Sequence, residues 1–251
     1  MLKIILSLFY ITSLYGLTGI ELAKKMENRL KPNDLKSKNT MILTNKKGKI
    51  KTSKLISKSK DDSKKQMIWF LEPKDDFGVS FLKIEHDNDD DYMNMWLPGF
   101  KKFRRISSQK KTDSFMGSDL SFEDLTNRDI DEYKYTIVDE NALCSVCDNG
   151  CYKLISEPKN IDSEYSYHIT WVTKDNYLSV MEESYDENKE LLKIKSIQFE
   201  KIDEYYIMKN LFVHNVQKNH KTELMIDKIN INLGYEDNIF HTKNLKRIPQ
   251  D

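Results

Sequence analysis

Trp96 to Leu125 reads WLPGFKKFRRISSQKKTDSFMGSDLSFEDL, and the reading of the fold turns on this stretch. Its first residues continue a run that begins at Tyr92, which predicts a strand over Tyr92–Leu97. Pro98-Gly99 then turns the chain, because proline presets one dihedral and glycine accepts the next. A basic run of Lys101, Lys102, Arg104 and Arg105 follows, and a polar linker leads to Ser114. Ser118 and Ser121 precede Glu123 and Asp124, with Asp119 between them. Hydroxyls that accept from free N–H groups, followed by acids at the positive end of a helix dipole, predict a helix from near Ser118. Phe115 and Met116 stand just before it, as a staple onto a core or as a lid over one.

Working outward, strand patterns dominate on both sides. Upstream lie Asn39–Thr44 and Lys49–Ser59 around a turn at Asn45–Gly48, then the apolar run Gln66–Leu71 and Val79–His86. Downstream lie Tyr133–Val138, Cys151–Glu157, Tyr165–Thr173, Tyr177–Tyr185, Glu190–Glu200, Tyr205–Val216 and Lys221–Leu233. In the last of these, Met225, Ile229, Ile231 and Leu233 fall on one side, with Thr222, Lys228, Asn230 and Asn232 on the other. A meander of about a dozen strands with one-sided alternation and short turns predicts a curved antiparallel sheet or barrel. One helix is expected over Ile20–Leu30, with Ile20, Ala23, Met26, Glu27 and Leu30 on a mostly apolar stripe and Pro32 ending it.

The central stretch resembles the signature of the LolA-like family of outer membrane lipoprotein-sorting proteins. Trp96-Leu97-Pro98, Arg104-Arg105-Ile106, Ser114-Phe-Met-Gly-Ser-Asp119 and Glu123-Asp124-Leu125 carry it, in that order. Thr18-Gly19-Ile20-Glu21, the segment with Pro73, Gly78, Phe81 and Leu82, and the closing Phe240–Leu245 extend it over most of the chain. Val79 stands where the family usually has threonine. The resemblance implies a mainly β, α+β fold: an incompletely closed antiparallel β-barrel with helices covering the concave face and an apolar interior for acyl chains. It implies a periplasmic carrier or chaperone for a lipid or lipoprotein, moving cargo toward the outer membrane beside an inner-membrane exporter of the resistance-nodulation-division type. Transient membrane contact fits the same role.

Composition bounds the rest. The chain has 251 residues, 40 Lys and Arg against 40 Asp and Glu, so no net field favours nucleic acid. Residues 1–19 read as a signal peptide: Lys3, then an apolar run from Ile4 to Ile11, too short to span a bilayer. A cut near Gly16 fits, and no cysteine there provides for a lipid anchor. Residues 20–251 are expected to form a single domain of periplasmic location, without an internal repeat or a linker.

Cys144, Cys147 and Cys151 stand together in LCSVCDNGCY. In an exported protein, one disulfide stapling the hairpin at Asn149-Gly150, with one thiol over, is preferred to redox or zinc chemistry, which lack a βαβ setting and an obvious fourth ligand. The acidic run Asp87–Asp91 lacks the glycine and distal glutamate of a calcium loop and reads as a solvated tip. A Gly-x-Ser-x-Gly elbow, a His-Glu-x-x-His pair and a phosphate loop are all missing, so the reading is not an enzyme and needs no cofactor or metal.

Candidate lipid-binding residues, chosen for size and strand position, are Trp69, Phe81, Trp96, Phe115, Met116, Trp171 and Phe212. Lys101, Lys102, Arg104 and Arg105 are candidates for contact with lipid headgroups or an acidic partner, with Arg104 or Arg105 alternatively pairing Asp119 or Glu123. A second function class remains beside the carrier: a periplasmic interaction subunit of a transporter or envelope complex, without cargo and with an interior filled by its own side chains.

Overall fold

The structure is a computed structural model that describes residues 16–87, 89–144, 149–159 and 163–249. Thirteen strands form one sheet in which all neighbours are antiparallel. In chain order they are β1 (Asp34–Thr44), β2 (Ile50–Lys60), β3 (Lys65–Glu72), β4 (Ser80–Ile84), β5 (Tyr92–Leu97) and β6 (Lys102–Ile106), then β7 (Tyr133–Ala142), β8 (Cys151–Pro158), β9 (Tyr167–Thr173), β10 (Ser179–Tyr185), β11 (Leu191–Ile202), β12 (Tyr205–Asn215) and β13 (His220–Ile231). The spatial order runs from β6 down to β1, then from β13 down to β7. Two meanders are thus joined at the β1–β13 seam, and β6 and β7 are the two edges. The sheet is an open barrel: its edges do not pair with each other.

Residues 107–132 connect one edge to the other, and they do so across the inner face. There it packs Phe115 and Phe122 against the sheet. The helix expected from Ser118 does not form. Met116 and Gly117 take left-handed backbone angles (φ 52° and 77°), and a bridge pairs Ser114 with Ser121. Ser114 Oγ donates to Ser118 O (2.5 Å) and Ser118 Oγ to Phe115 O (2.7 Å), bonds that hold a tight turn in place of a helix. The capping chemistry is present but short. Ser121 N donates to the Asp124 carboxylate (2.9 Å) and Asp124 N to Ser121 Oγ (3.2 Å), around a single 3₁₀ turn over Glu123–Leu125.

Among the described residues one α-helix forms, α1 (Gly19–Glu27). Thr18 and Glu21 cap it reciprocally. Its buried side differs from the expected stripe: Leu22 and Ala23 are buried, while Ile20 and Leu30 are exposed. Gly19 explains this. A Cβ there would stand 2.5 Å from Tyr135 O, so the glycine lets α1 lie against the β7 backbone and turns Leu22 onto Leu154 and Val172. On the outer face the last residues pack Phe240 and Leu245 over Met67, Trp69 and Leu82. Asp34 ties down the start of this tail by accepting from the N–H groups of Leu233, Gly234 and Tyr235 at 2.7–2.9 Å.

Candidate functional site on the inner face of the barrel

Cross-strand register carries one face around the whole sheet, since side chains alternate with a period of two. On β2 to β5 the partners are Leu55 and Phe70, Ile68 and Phe81, Phe81 and Met95. Across the seam Met41 pairs with Leu224, and Leu224 with Leu211. Continuing on the same face, Thr222 pairs with Val213, Val213 with Lys195, Lys195 with Glu182, and Glu182 with Thr170. This face is therefore mainly apolar on β1–β6, where buried Lys83, paired with Glu85, is the ionic exception, and it is ionic on β9–β11.

The apolar half is closed by the crossing segment. Phe115 stands 5.3 Å from Phe81, 6.0 Å from Phe70 and 5.8 Å from Phe122 between ring centroids, the tilted and edge-on arrangements that aromatic quadrupoles favour. Polar bonds hold this plug at its two ends. Asp119 accepts from Thr222 Oγ1 (2.7 Å) while His220 Nδ1 lies at 2.8 Å, and beyond Phe122 buried Lys83 Nζ donates to Leu125 O (2.6 Å).

The ionic half is closed by the next residues of the same segment. Asp124 reaches Lys193 Nζ (3.0 Å) and Lys195 Nζ (2.6 Å), and accepts from Tyr165 Oη at 2.9 Å. Lys195 also reaches Glu182 (3.1 Å), which holds Arg128 through both carboxylate oxygens at 2.6 and 2.8 Å. Burial opposes ionisation of Asp124, but Lys195 and Lys193 outweigh it and hold the carboxyl well below its usual range. Glu182 is held low in the same way, against its own burial, by Arg128 and Lys195. Burial pushes the Tyr165 phenol far up, and Asp124 adds to it. Burial, with Arg128 alongside, pushes His168 well down, so its ring is neutral.

The candidate lipid-binding residues divide between the two faces. Phe81 and Phe115 meet on the inner face, with Met116 packed partly against the same cluster. Trp69, Trp96, Trp171 and Phe212 lie on the outer face by register: Trp69 pairs with Ser80, Ser80 with Trp96, Trp171 with Met181 and Ser196 with Phe212. Trp69 is covered by the tail. Trp96 lies beside Phe103, with Lys246 Nζ 4.6 Å from its ring. Sequence reasoning passed over Asp124, Lys193, Lys195, Glu182 and Arg128 as site residues. A faint signal was available: Glu182 and Lys195 each break the apolar alternation of a long strand.

The basic run lies on edge strand β6 and the turn before it. Lys101, Lys102, Arg104 and Arg105 are exposed, and Phe100 and Phe103 stand out among them at 75% and 41% exposure. The arginines do not pair with Asp119 or Glu123. Arg104 comes within 3.7 Å of Asp113, and Arg105 lies 4.1 Å from the centre of the Tyr92 ring. Of the cysteines, Cys151 is buried on β8 and Cys144 packs near Trp171; Cys147, on which the pairing reading depends, lies outside the described residues. Among the described residues no group of His, Cys, Asp and Glu is arranged to hold a metal.

A family described as "Uncharacterized protein" matches residues 62–247. A DUF1329 family protein from Desulfovibrio piger is 31% identical, with TM-score 0.82 over 90% of this chain and 97% of the other. The chain belongs to the DUF1329 family. A domain from Vibrio parahaemolyticus described as an outer membrane lipoprotein-sorting protein is 28% identical, with TM-score 0.84 over 91% of this chain and 98% of the other. A LolA superfamily protein from Nitrosomonas europaea shares the fold at 14% identity, TM-score 0.71, over 91% and 99% of the two chains. None of the curated proteins matches. The resemblance carried by Trp96–Leu125 is borne out by these relatives, and this DUF1329 chain has the LolA-like open barrel with its helix on the inner face.

Proposed function

We propose that the protein is a non-enzymatic periplasmic carrier or chaperone that takes acyl chains of a lipid or lipoprotein onto the apolar half of its inner face, for transport toward the outer membrane. The observation that carries this reading is the plug. Phe115 and Phe122 occupy the inner face of β2–β5 from a segment that is not part of the sheet. An acyl chain offers the same surface and gains about 0.8 kcal/mol per buried methylene, so displacement of the plug exchanges like for like. The sheet keeps its backbone bonds whether the plug is in or out. The kinship with a protein described as lipoprotein-sorting supports the same role. Phe81, Phe115 and Met116 are the first candidates to line the path. Trp69, Trp96, Trp171 and Phe212 serve from the outer face only if the tail or a membrane is involved. Periplasmic location follows from the N-terminal segment acting as a signal peptide cut near Gly16, ahead of the Thr18 cap of α1; residues 1–15 lie outside the described residues. No helix among the described residues is long and apolar enough to cross a membrane.

The exposed Phe100 and Phe103 among Lys101, Lys102, Arg104 and Arg105 favour a second reading: an interaction subunit that docks by edge β6 on a membrane partner, such as an exporter of the resistance-nodulation-division type, with its interior filled by its own plug. Native mass spectrometry of the mature protein from the periplasm, followed by lipid extraction, separates the two. Lipid at fixed stoichiometry, lost on Phe115→Asp in folded protein, is the result expected of a carrier. A clean apo mass with no uptake of fatty acyl probes sinks the carrier and leaves the docking subunit.

A further inference from the structure

The ionic half of the inner face opens into a cavity of about 1080 Å³ lined almost wholly by polar side chains. Arg128, Tyr133, Tyr165, His168 and Lys195 form its deep part, and exposed Glu27, Asp90, Asp129 and Glu132 stand at its rim. Among the described lining residues, ten are Asp or Glu and four are Lys or Arg, so the field in the cleft draws cations inward.

His168 adds a second and independent feature. Its Nδ1 lies 3.2 Å from Arg128 Nη2 and 2.9 Å from Ser184 Oγ. A guanidinium only donates, so Nδ1 carries the lone pair and, in a neutral ring, Nε2 carries the proton. The ring is fully buried between Tyr165 (4.6 Å) and Tyr133 (6.4 Å), and Nε2 meets no partner. A buried donor with no acceptor is unfavourable in a folded protein, and one that lines a polar cavity is suited to a ligand that brings the acceptor. Arg128 and Lys195 beside it suit an anionic oxygen.

We propose that this cavity binds an amine-bearing phosphate, its phosphate oxygen accepting the His168 Nε2–H bond and its ammonium group held by Glu27, Glu132 and the other rim carboxylates. Ethanolamine phosphate, free or as a phospholipid headgroup, has this chemistry. The site is separate from the Phe115 plug and does not rest on acyl carriage, because a headgroup without chains is the first ligand to test.

The experiment titrates the full mature chain, labelled with ¹⁵N-histidine, with O-phosphoethanolamine. The protonated ring nitrogen of His168, assigned by its loss in His168→Phe, should shift and saturate. Glu27→Lys with Glu132→Lys, both on the exposed rim, should weaken binding at least fivefold while leaving the spectrum of a folded barrel. Inorganic phosphate should bind at least tenfold more weakly than O-phosphoethanolamine. No shift at His168, equal binding of the two phosphates, or unchanged affinity in the rim variant overturns the assignment; the rim variant remains decisive even where His168→Phe does not fold. Dihexanoyl phosphatidylethanolamine distinguishes the sources. Binding tighter than the bare headgroup points to a lipid, and equal binding points to a soluble zwitterion.

Discussion

The two halves of the inner face are built on the same sheet, and one connecting segment covers both, yet they are filled by opposite means. On β1–β6 the segment inserts Phe115 and Phe122 among Phe70, Phe81 and Met95. Only a few residues on, on β9–β11, it inserts Asp124 between Lys193 and Lys195. An apolar plug is non-directional: any greasy group of similar shape can take its place. An ion cluster is directional and tolerates no partial loss, because one missing partner leaves a buried charge uncompensated. On the carrier reading the contrast assigns different work to each half: the aromatic half is the exchangeable one, and the ionic half anchors the crossing segment so that exchange does not release it altogether.

The largest expected effect breaks the anchor. Asp124→Ala leaves Lys193 and Lys195 buried against each other and should lower the unfolding free energy in urea by about 3–5 kcal/mol. Replacing all three residues at once, Asp124→Leu with Lys193→Met and Lys195→Met, should recover most of that loss. A triple variant as unstable as Asp124→Ala would show that packing, not charge, matters there.

Next come the aromatics. Phe81→Ala, in the sheet, should cost about 3–4 kcal/mol, as truncation of a fully buried ring does. If the carrier reading holds, Phe115→Ala, on the crossing segment, should cost under about half as much and should raise uptake of a fluorescent fatty acid. Equal losses at the two positions in urea melts would make the plug ordinary core.

Gly19→Ala tests how α1 seats at the edge of the ionic half. Its Cβ meets the Tyr135 backbone, so a loss of about 1–3 kcal/mol is expected, with faster amide exchange across Gly19–Glu27.

The pH dependence also separates the halves. Asp124 and Glu182 titrate below their ordinary values of 3.8 and 4.5, so the unfolded chain takes up protons first as pH falls. Their contribution is complete above the unfolded values and is lost as pH drops below about 4. His168 is depressed from 6.5, so the unfolded state again binds more protons below that value, and stability declines further as pH falls from there. Phe115→Ala should keep this profile, whereas the Asp124/Lys193/Lys195 triple variant should flatten its acid limb in urea melts at stepped pH.

The smallest effect is on edge β6. Charge reversal at Lys101, Lys102, Arg104 and Arg105, on exposed side chains, should move stability by no more than about 0.5 kcal/mol for each residue. The same changes should abolish crosslinking to a membrane partner if the docking reading holds.

Much of this fold is legible without coordinates. Alternation marks the strands, and the turn residues Asn45–Gly48 mark a hairpin that forms as expected. The helix expected at Ser118 fails for a local reason. Its capping residues are real, but Met116-Gly117 adopts left-handed angles and the serines bond back to their own turn, so helix propensity loses to side chain–backbone bonds. The stripe on α1 differs from expectation because Gly19 is a contact with the β7 backbone as well as a helix start.

What the sequence determined by itself is what acts over a few residues: where strands alternate, where they turn, and the signature that places the chain in its family. Tertiary structure alone decided which face is inside. It sent the three tryptophans outward, and it brought Asp124 to Lys193 and Lys195, 69 and 71 residues away. The physical reason is that strand alternation fixes two faces but not their identity. That identity comes from the crossing segment, whose route from β6 to β7 exists only once both edges of the barrel are in place.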